Sequence, residues 1–118
     1  MSQRSLESFG GYKKAQELFF LVVDDMEILQ KDPRCYRLIG QQVASADSVC
    51  ANIEEGHGRP SKAEYARYLI IALGSARETR GRYTRMKKWL SSKTMNSRIQ
   101  LLDEIIAILT ATVHRLKN

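Results

Sequence analysis

The chain has 118 residues and a mass of 13.5 kDa, which fits one domain, residues 1–118, because a second core would be too small. With 43% hydrophobic and 27% charged residues, 7 Gly and 2 Pro, it is neither disordered nor low in complexity, and its longest apolar runs, Leu18 to Val23 and Leu69 to Leu73, fall far short of the roughly 20 residues that span a bilayer. The formal net charge of +6 directs attention to phosphate backbones or acidic protein surfaces. Met1 to Gly10 is polar where a signal peptide needs an apolar stretch, so the chain is expected in the cytoplasm, with no membrane partner.

Apolar residues at Leu6, Phe9, Tyr12, Ala15, Phe19, Val22, Val23, Met26 and Leu29 recur every three or four positions and predict a first amphipathic helix over about Leu6–Leu29. Gly10 and Gly11 weaken its opening turns, so the helix frays there or starts after them. Pro33 ends it by steering the preceding residue away from helical geometry. A second helix follows over about Tyr36–Glu55, with Leu38, Ile39, Val43, Ala46, Val49, Cys50 and Ile53 as its apolar stripe and small residues in its middle. Gly56 suits a left-handed C-terminal cap, and Gly58, Arg59 and Pro60 complete a tight turn.

Ser61 with Glu64 three positions on is a capping-box pattern that opens a third helix, whose apolar spacing runs on through Tyr83, Met86 and Leu90 to a Ser91–Thr94 loop. Gly74 and Gly81 inside it imply close backbone packing or a bend. The fourth helix reads from about Ser97 to Leu116, with Ile99, Leu102, Ile105, Ile106, Leu109 and Val113 facing inward. Four helices with short connections predict an all-α, antiparallel up-and-down four-helix bundle.

Ten basic residues lie between Arg59 and Lys93 against Glu64 and Glu78, making that segment +8 and the remainder −2. Arg59, Lys62, Arg77, Arg80, Arg82, Arg85, Lys87 and Lys88 are therefore the candidate nucleic-acid contacts, since the planar guanidinium fork suits bidentate phosphate binding. The competing reading is a solvated face. Tyr83 and Trp89 could stack on bases, although that spacing equally fits core aromatics.

The chain is expected not to be an enzyme and to need no metal or cofactor. His57 and His114 lack metal-ligand spacing, Cys35 and Cys50 lie roughly 22 Å apart on one helix and cannot pair, and no nucleotide loop or nucleophile elbow occurs. Asp24, Asp25 and Glu27 read as solvated charge on the first helix.

The run Ser48, Val49, Cys50, Ala51, Asn52, Ile53, Glu54, Glu55, Gly56, followed by Gly58, Arg59, Ser61, Lys62, Glu64, Tyr65, Leu69, Ile71, Ala72, Leu73, Gly74, Ser75 and Glu78, resembles the core motif of the 23S rRNA intervening-sequence protein family. Lys14, Ala15, Glu17, Leu18 and Gln41 extend the likeness over nearly the whole chain. The resemblance implies a bacterial four-helix bundle without a catalytic site, assembled as a ring-shaped homopentamer. A related branch, the accessory variability determinant proteins of diversity-generating retroelements, is basic and binds nucleic acid and a reverse transcriptase. Two positions depart from the pattern: Tyr12 stands where tryptophan is usual, and Ala44 where many members carry arginine, which weakens any shared phosphate site on the second helix.

In this pattern Asn52 would hydrogen-bond a neighbouring helix or the turn, Gly56, Gly58 and Arg59 would fix the turn, and Arg59 could pair with Glu55 or Glu78 instead of a phosphate. Two functions follow as expectations. One is a self-assembling basic bundle that binds RNA or DNA electrostatically; the other is a scaffold docking an acidic protein such as a reverse transcriptase.

Overall fold

The computed structural model describes residues 5–118; residues 1–4, part of the polar stretch Met1 to Gly10, lie outside the described residues. Four α-helices carry the fold: α1 Gly10–Leu29, α2 Tyr36–His57, α3 Lys62–Thr84 and α4 Ser92–Lys117. Short 3-10 turns at Leu6–Ser8 and Pro33–Cys35 precede α1 and α2, and no strand occurs among the described residues.

Each helix start has a physical cause in the sequence. The Asp32 carboxylate accepts from the Arg34 backbone N–H, with Pro33 at the first position of the turn that leads into α2. The hydroxyls of Ser61 and Ser91 accept from the backbone N–H groups of Glu64 and Thr94 and cap α3 and α4. In the Ser61 pattern the Glu64 carboxylate accepts from the Ser61 hydroxyl at 3.2 Å, so one half of the expected capping box forms in altered shape.

Cross-helix hydrogen bonds fix the topology. Tyr12 reaches Glu54, Ser45 reaches Thr79, Ser48 reaches Ser75, Arg80 reaches Asp103 and Lys14 reaches Glu104. Between α2 and α3 the partner falls from Thr79 to Ser75 as Ser45 gives way to Ser48, and between α1 and α4 it falls from Glu104 to Arg98 as Lys14 gives way to Asp25, so both pairs run antiparallel, and the short connections set α1 beside α2 and α3 beside α4. The result is a four-helix bundle measuring 48 × 22 × 20 Å.

Ala15, Leu18, Val22, Leu29, Val49, Ile53, Leu69, Ala72, Leu102, Ile105 and Leu109 are fully buried in one shared apolar cluster. Burial of each large aliphatic side chain contributes about 1.5–3 kcal/mol before conformational entropy is counted.

Three expectations are corrected by the structure. The third helix stops at Thr84 instead of Leu90, and Arg85–Ser91 forms successive turns in which Met86, Trp89 and Leu90 donate to the carbonyls of Tyr83, Met86 and Met86. The fourth helix starts at Ser92 because Ser91 caps it, where a loop was expected. Gly56 adopts no left-handed conformation; α2 runs on to His57, and Gly58 follows with right-handed dihedrals, φ −82° and ψ −4°.

The glycines also redistribute their roles. A Cβ on Gly74 would meet nothing within 4 Å and one on Gly81 only the tip of Arg85 at 3.7 Å, so neither marks close packing within the bundle. Gly56 does: a Cβ there would lie 2.8 Å from Tyr68 Cβ and 3.3 Å from the Tyr65 carbonyl oxygen.

Candidate functional site

The family-motif residues assemble at the α2–α3 turn and the seam beyond it. Glu55 accepts from Arg59, whose guanidinium also donates to Tyr68 Oη at 2.8 Å and stacks over that ring at 4.9 Å. The Glu55 carboxylate raises the Arg59 pKa further above its ordinary value. Arg59 is thus held by its own turn. Asn52 donates to the Ser48 carbonyl and hydroxyl one turn back on α2, so it braces its own helix and not a neighbour or the turn.

The seam between α2 and α3 is polar and narrow. Ser48 and Ser75 share a 2.8 Å hydrogen bond, and Ser45 and Thr79 a 2.7 Å one; Gln42, fully buried, donates to the Thr79 carbonyl at 3.0 Å. Small side chains bring the two helices close, and paired hydroxyls fix their register, because a slip would bury each of them unpaired. Arg82 extends this network: Nη1 donates to Ser45 Oγ at 3.0 Å, and Nη2 lies 3.8 Å from Glu78.

The structure therefore divides the eight cationic candidates. Arg59, Arg80 and Arg82 are occupied by Glu55, Asp103 and the Ser45–Glu78 pair, and the Asp103 carboxylate keeps the Arg80 guanidinium above, and is itself held below, its usual range. Lys62, Arg77, Arg85, Lys87 and Lys88 are exposed and make no ion pair among the described residues. Because α3 ends at Thr84, Arg85, Lys87 and Lys88 are not on its flank but in the connection at the end of the rod.

That connection is anchored by Trp89, half-buried, whose Nε1 donates to Asp32 Oδ2 at 3.0 Å across to the α1–α2 connection. Tyr83 is fully buried in the core and so cannot stack on a base. The Asp32 carboxylate accepts from the Arg34 guanidinium and backbone N–H as well as from Trp89, and these donors hold it far below the usual carboxylate range. A depressed folded-state pKa contributes stability that is complete above the unfolded value of about 4 and fades as pH falls below it. Emission of the single tryptophan should therefore stay constant from neutral pH down to about pH 4 and change only in stronger acid. Loss of the signal near pH 6 would contradict the tether.

A second buried network escaped the sequence reading. Asp25, expected at the surface, is 4% exposed and accepts from Tyr83 Oη at 2.7 Å and from Arg98 Nε at 2.8 Å and Nη2 at 3.1 Å. Burial, then the Asp25 carboxylate, pushes the Tyr83 phenol well above its ordinary value. The signal was present: Asp25 falls on the same stripe as Leu18, Val22 and Leu29 at helical spacing.

The described residues contain no group of three or more His, Cys, Asp or Glu side chains placed to hold a metal. Cys35 and Cys50 are free and buried, and burial pushes the Cys50 thiol up to about 12, leaving little thiolate at neutral pH. His57 stands edge-on to Tyr65, and His114 lies beside Asn118. No helix among the described residues is long and apolar enough to cross a membrane.

An all-α bundle of four antiparallel helices, with a polar α2–α3 seam and exposed cations in the α3–α4 connection, is the class of protein these features define. The chain belongs to the 23S rRNA-intervening sequence protein family, whose model matches residues 7–111. It is similar in fold to the crystal structure of a protein of unknown function from the S23 ribosomal protein family of Bacteroides thetaiotaomicron VPI-5482, with a TM-score of 0.81 and 23% identity over 87% of this chain and 97% of that one. A comparison with curated proteins finds no match.

Proposed function

We propose that the protein is a non-catalytic basic bundle that binds RNA or DNA electrostatically and assembles with copies of itself into a ring, the homopentamer that the family resemblance implies. The observation that carries the nucleic-acid reading is the set of exposed cations, Lys62, Arg77, Arg85, Lys87 and Lys88, without a carboxylate partner among the described residues. Phosphate contacts of this kind release condensed counterions, so affinity falls steeply with salt and depends little on sequence.

Fluorescence anisotropy with short single- and double-stranded RNA and DNA tests this. Binding at low salt that weakens at physiological salt, and that Arg77→Ala with Arg85→Ala and Lys88→Ala removes, is the expected result. Absence of binding at low salt contradicts it and leaves the scaffold for an acidic partner.

Self-association has its own support. Ile70 and Ile71 on the outer face of α3 are 45% and 44% exposed, beside Ala63 and Gly74, while Phe20 and Ile28 on the diagonally opposite α1 are 63% and 49% exposed. Two different apolar faces on opposite sides make a heterologous contact, which closes into a ring when its rotation allows. Light scattering should give an oligomer for the wild type and a monomer for Ile70→Glu with Ile71→Glu. An unchanged mass for the variant would place the contact elsewhere.

A further inference from the structure

The positive charge of this molecule has an address that the linear sequence conceals. The α1–α2 connection with the first turn of α2 carries Lys31, Arg34 and Arg37; the α3–α4 connection with the first turn of α4 carries Arg85, Lys87, Lys88 and Lys93. Antiparallel packing brings the two to the same end of the 48 Å rod, where the Trp89–Asp32 hydrogen bond at 3.0 Å joins them. Asp32 is the one carboxylate in these two stretches, so together they hold seven cations against one anion. Their net +6 equals the formal charge of the entire chain, and the rest of the molecule sums to zero.

All seven cations are exposed, and Arg34 alone among them has an ion-pair partner among the described residues, Asp32. Cations elsewhere, exposed Lys13, Lys62, Arg67, Arg77 and Lys117 among them, are matched in number by carboxylates, so only this end carries an excess of this size. Among these cations stands Tyr36, the first residue of α2 and, among the described residues, the most exposed of the large hydrophobic side chains, with 83% of its surface free. An aromatic ring presented to water inside a cationic surface is the combination that holds an unpaired strand, the cations following the phosphates and the ring stacking on a base.

We infer that this end of the bundle, made jointly by residues 31–37 and 85–93, is a binding surface for single-stranded nucleic acid, with Lys31, Arg34 and Arg37 engaging phosphates alongside the α3–α4 cations and Tyr36 stacking on a base. This rests on the nucleic-acid reading above and adds to it a second chain segment, an aromatic platform and a preference for unpaired strands. The flank of α3, where Arg67 and Arg77 are exposed, is then secondary.

The test uses the full chain and two labelled probes, a short polyuridine RNA and an RNA duplex of equal length, with circular dichroism confirming that each variant melts like the wild type. Lys31→Ala with Arg37→Ala should weaken polyuridine binding at least tenfold and flatten the log–log salt dependence by about 0.7 per lost phosphate contact. Tyr36→Ala should weaken polyuridine binding roughly tenfold while changing duplex binding little. Arg67→Ala with Arg77→Ala should have the smaller effect.

Wild-type binding that persists in the Lys31/Arg37 and Tyr36 variants, and disappears in the Arg67/Arg77 variant, overturns the end surface while leaving nucleic-acid binding in place. No polyuridine or duplex binding by the wild type at low salt defeats both. A polyglutamate peptide that binds as tightly as polyuridine, indifferent to Tyr36→Ala, overturns the inference in favour of an acidic protein partner.

Discussion

Arg98→Ala should lower stability by about 3–5 kcal/mol, a drop in melting temperature of roughly 10–20 °C for a chain of this length. Arg98 bonds Asp25 through Nε and Nη2, the two side chains being 17% and 5% exposed, and Tyr83 Oη donates to the same carboxylate from α3. Deleting the guanidinium leaves a carboxylate inside the bundle with one neutral donor, and desolvation of an unpaired charge is among the few single-site effects of this size. The network joins α1, α3 and α4, so its loss loosens three of the four helices together. Tyr83→Phe should cost less, about 1–2 kcal/mol, because the ion pair survives. In a double-mutant cycle the Asp25→Asn change should be far milder in the Arg98→Ala background than alone, since the two act on one interaction. An Arg98→Ala loss below about 1 kcal/mol would mean that water reaches Asp25.

Gly56→Ala should be the second most damaging of the single changes considered, at about 1–3 kcal/mol, although alanine is the better helix former. Its methyl group would sit 2.8 Å from Tyr68 Cβ, 3.0 Å from Tyr65 Cδ1 and 3.3 Å from the Tyr65 carbonyl, atoms close to the backbone that cannot swing aside. Relief requires α2 and α3 to part at the turn where Arg59 is clamped between Glu55 and Tyr68. Gly74→Ala is the matched opposite: with open space around it on the surface of α3, alanine should stabilise the folded chain by up to about 1 kcal/mol through reduced backbone entropy. Thermal melts of the two variants should move in opposite directions. A shift in the same direction would contradict the packing described for Gly56.

The existence and type of every helix were legible, because the apolar stripes of α1, α2 and α4 repeat at helical spacing over five turns or more. The end of α3 was not. Met86 and Leu90 continue the stripe, yet they reach the core, fully buried and 4% exposed, through turns that return to it at similar intervals. Apolar spacing alone does not separate the two, and Gly81, in the last turn of α3, was read as close packing or a bend and not as a stop. Gly74 and Gly56 carry the same letter, and only three-dimensional neighbours decide which of them is packed.

The charge followed a similar pattern. The concentration of arginine after residue 59 was plain, and so was Glu55 as a partner for Arg59, but Asp103 becomes the partner of Arg80 only through antiparallel packing. For the same reason Arg34 and Arg37, about fifty residues from Lys87 in sequence, could not be joined to it until the Trp89–Asp32 bond placed both connections at one end. Asp25 was readable from its position on the inward stripe, and its charge misdirected the assignment to solvent.

The central claim is that this bundle holds nucleic acid through its cationic end. The most direct measurement is a nitrogen-15 NMR titration of the full chain with short polyuridine RNA at low salt. Amide shifts concentrated in residues 31–37 and 85–93, reversed by raising the salt, are the predicted result. A spectrum that stays unchanged as RNA is added at low salt, or shifts confined to the Ile70–Ile71 face, would contradict the claim.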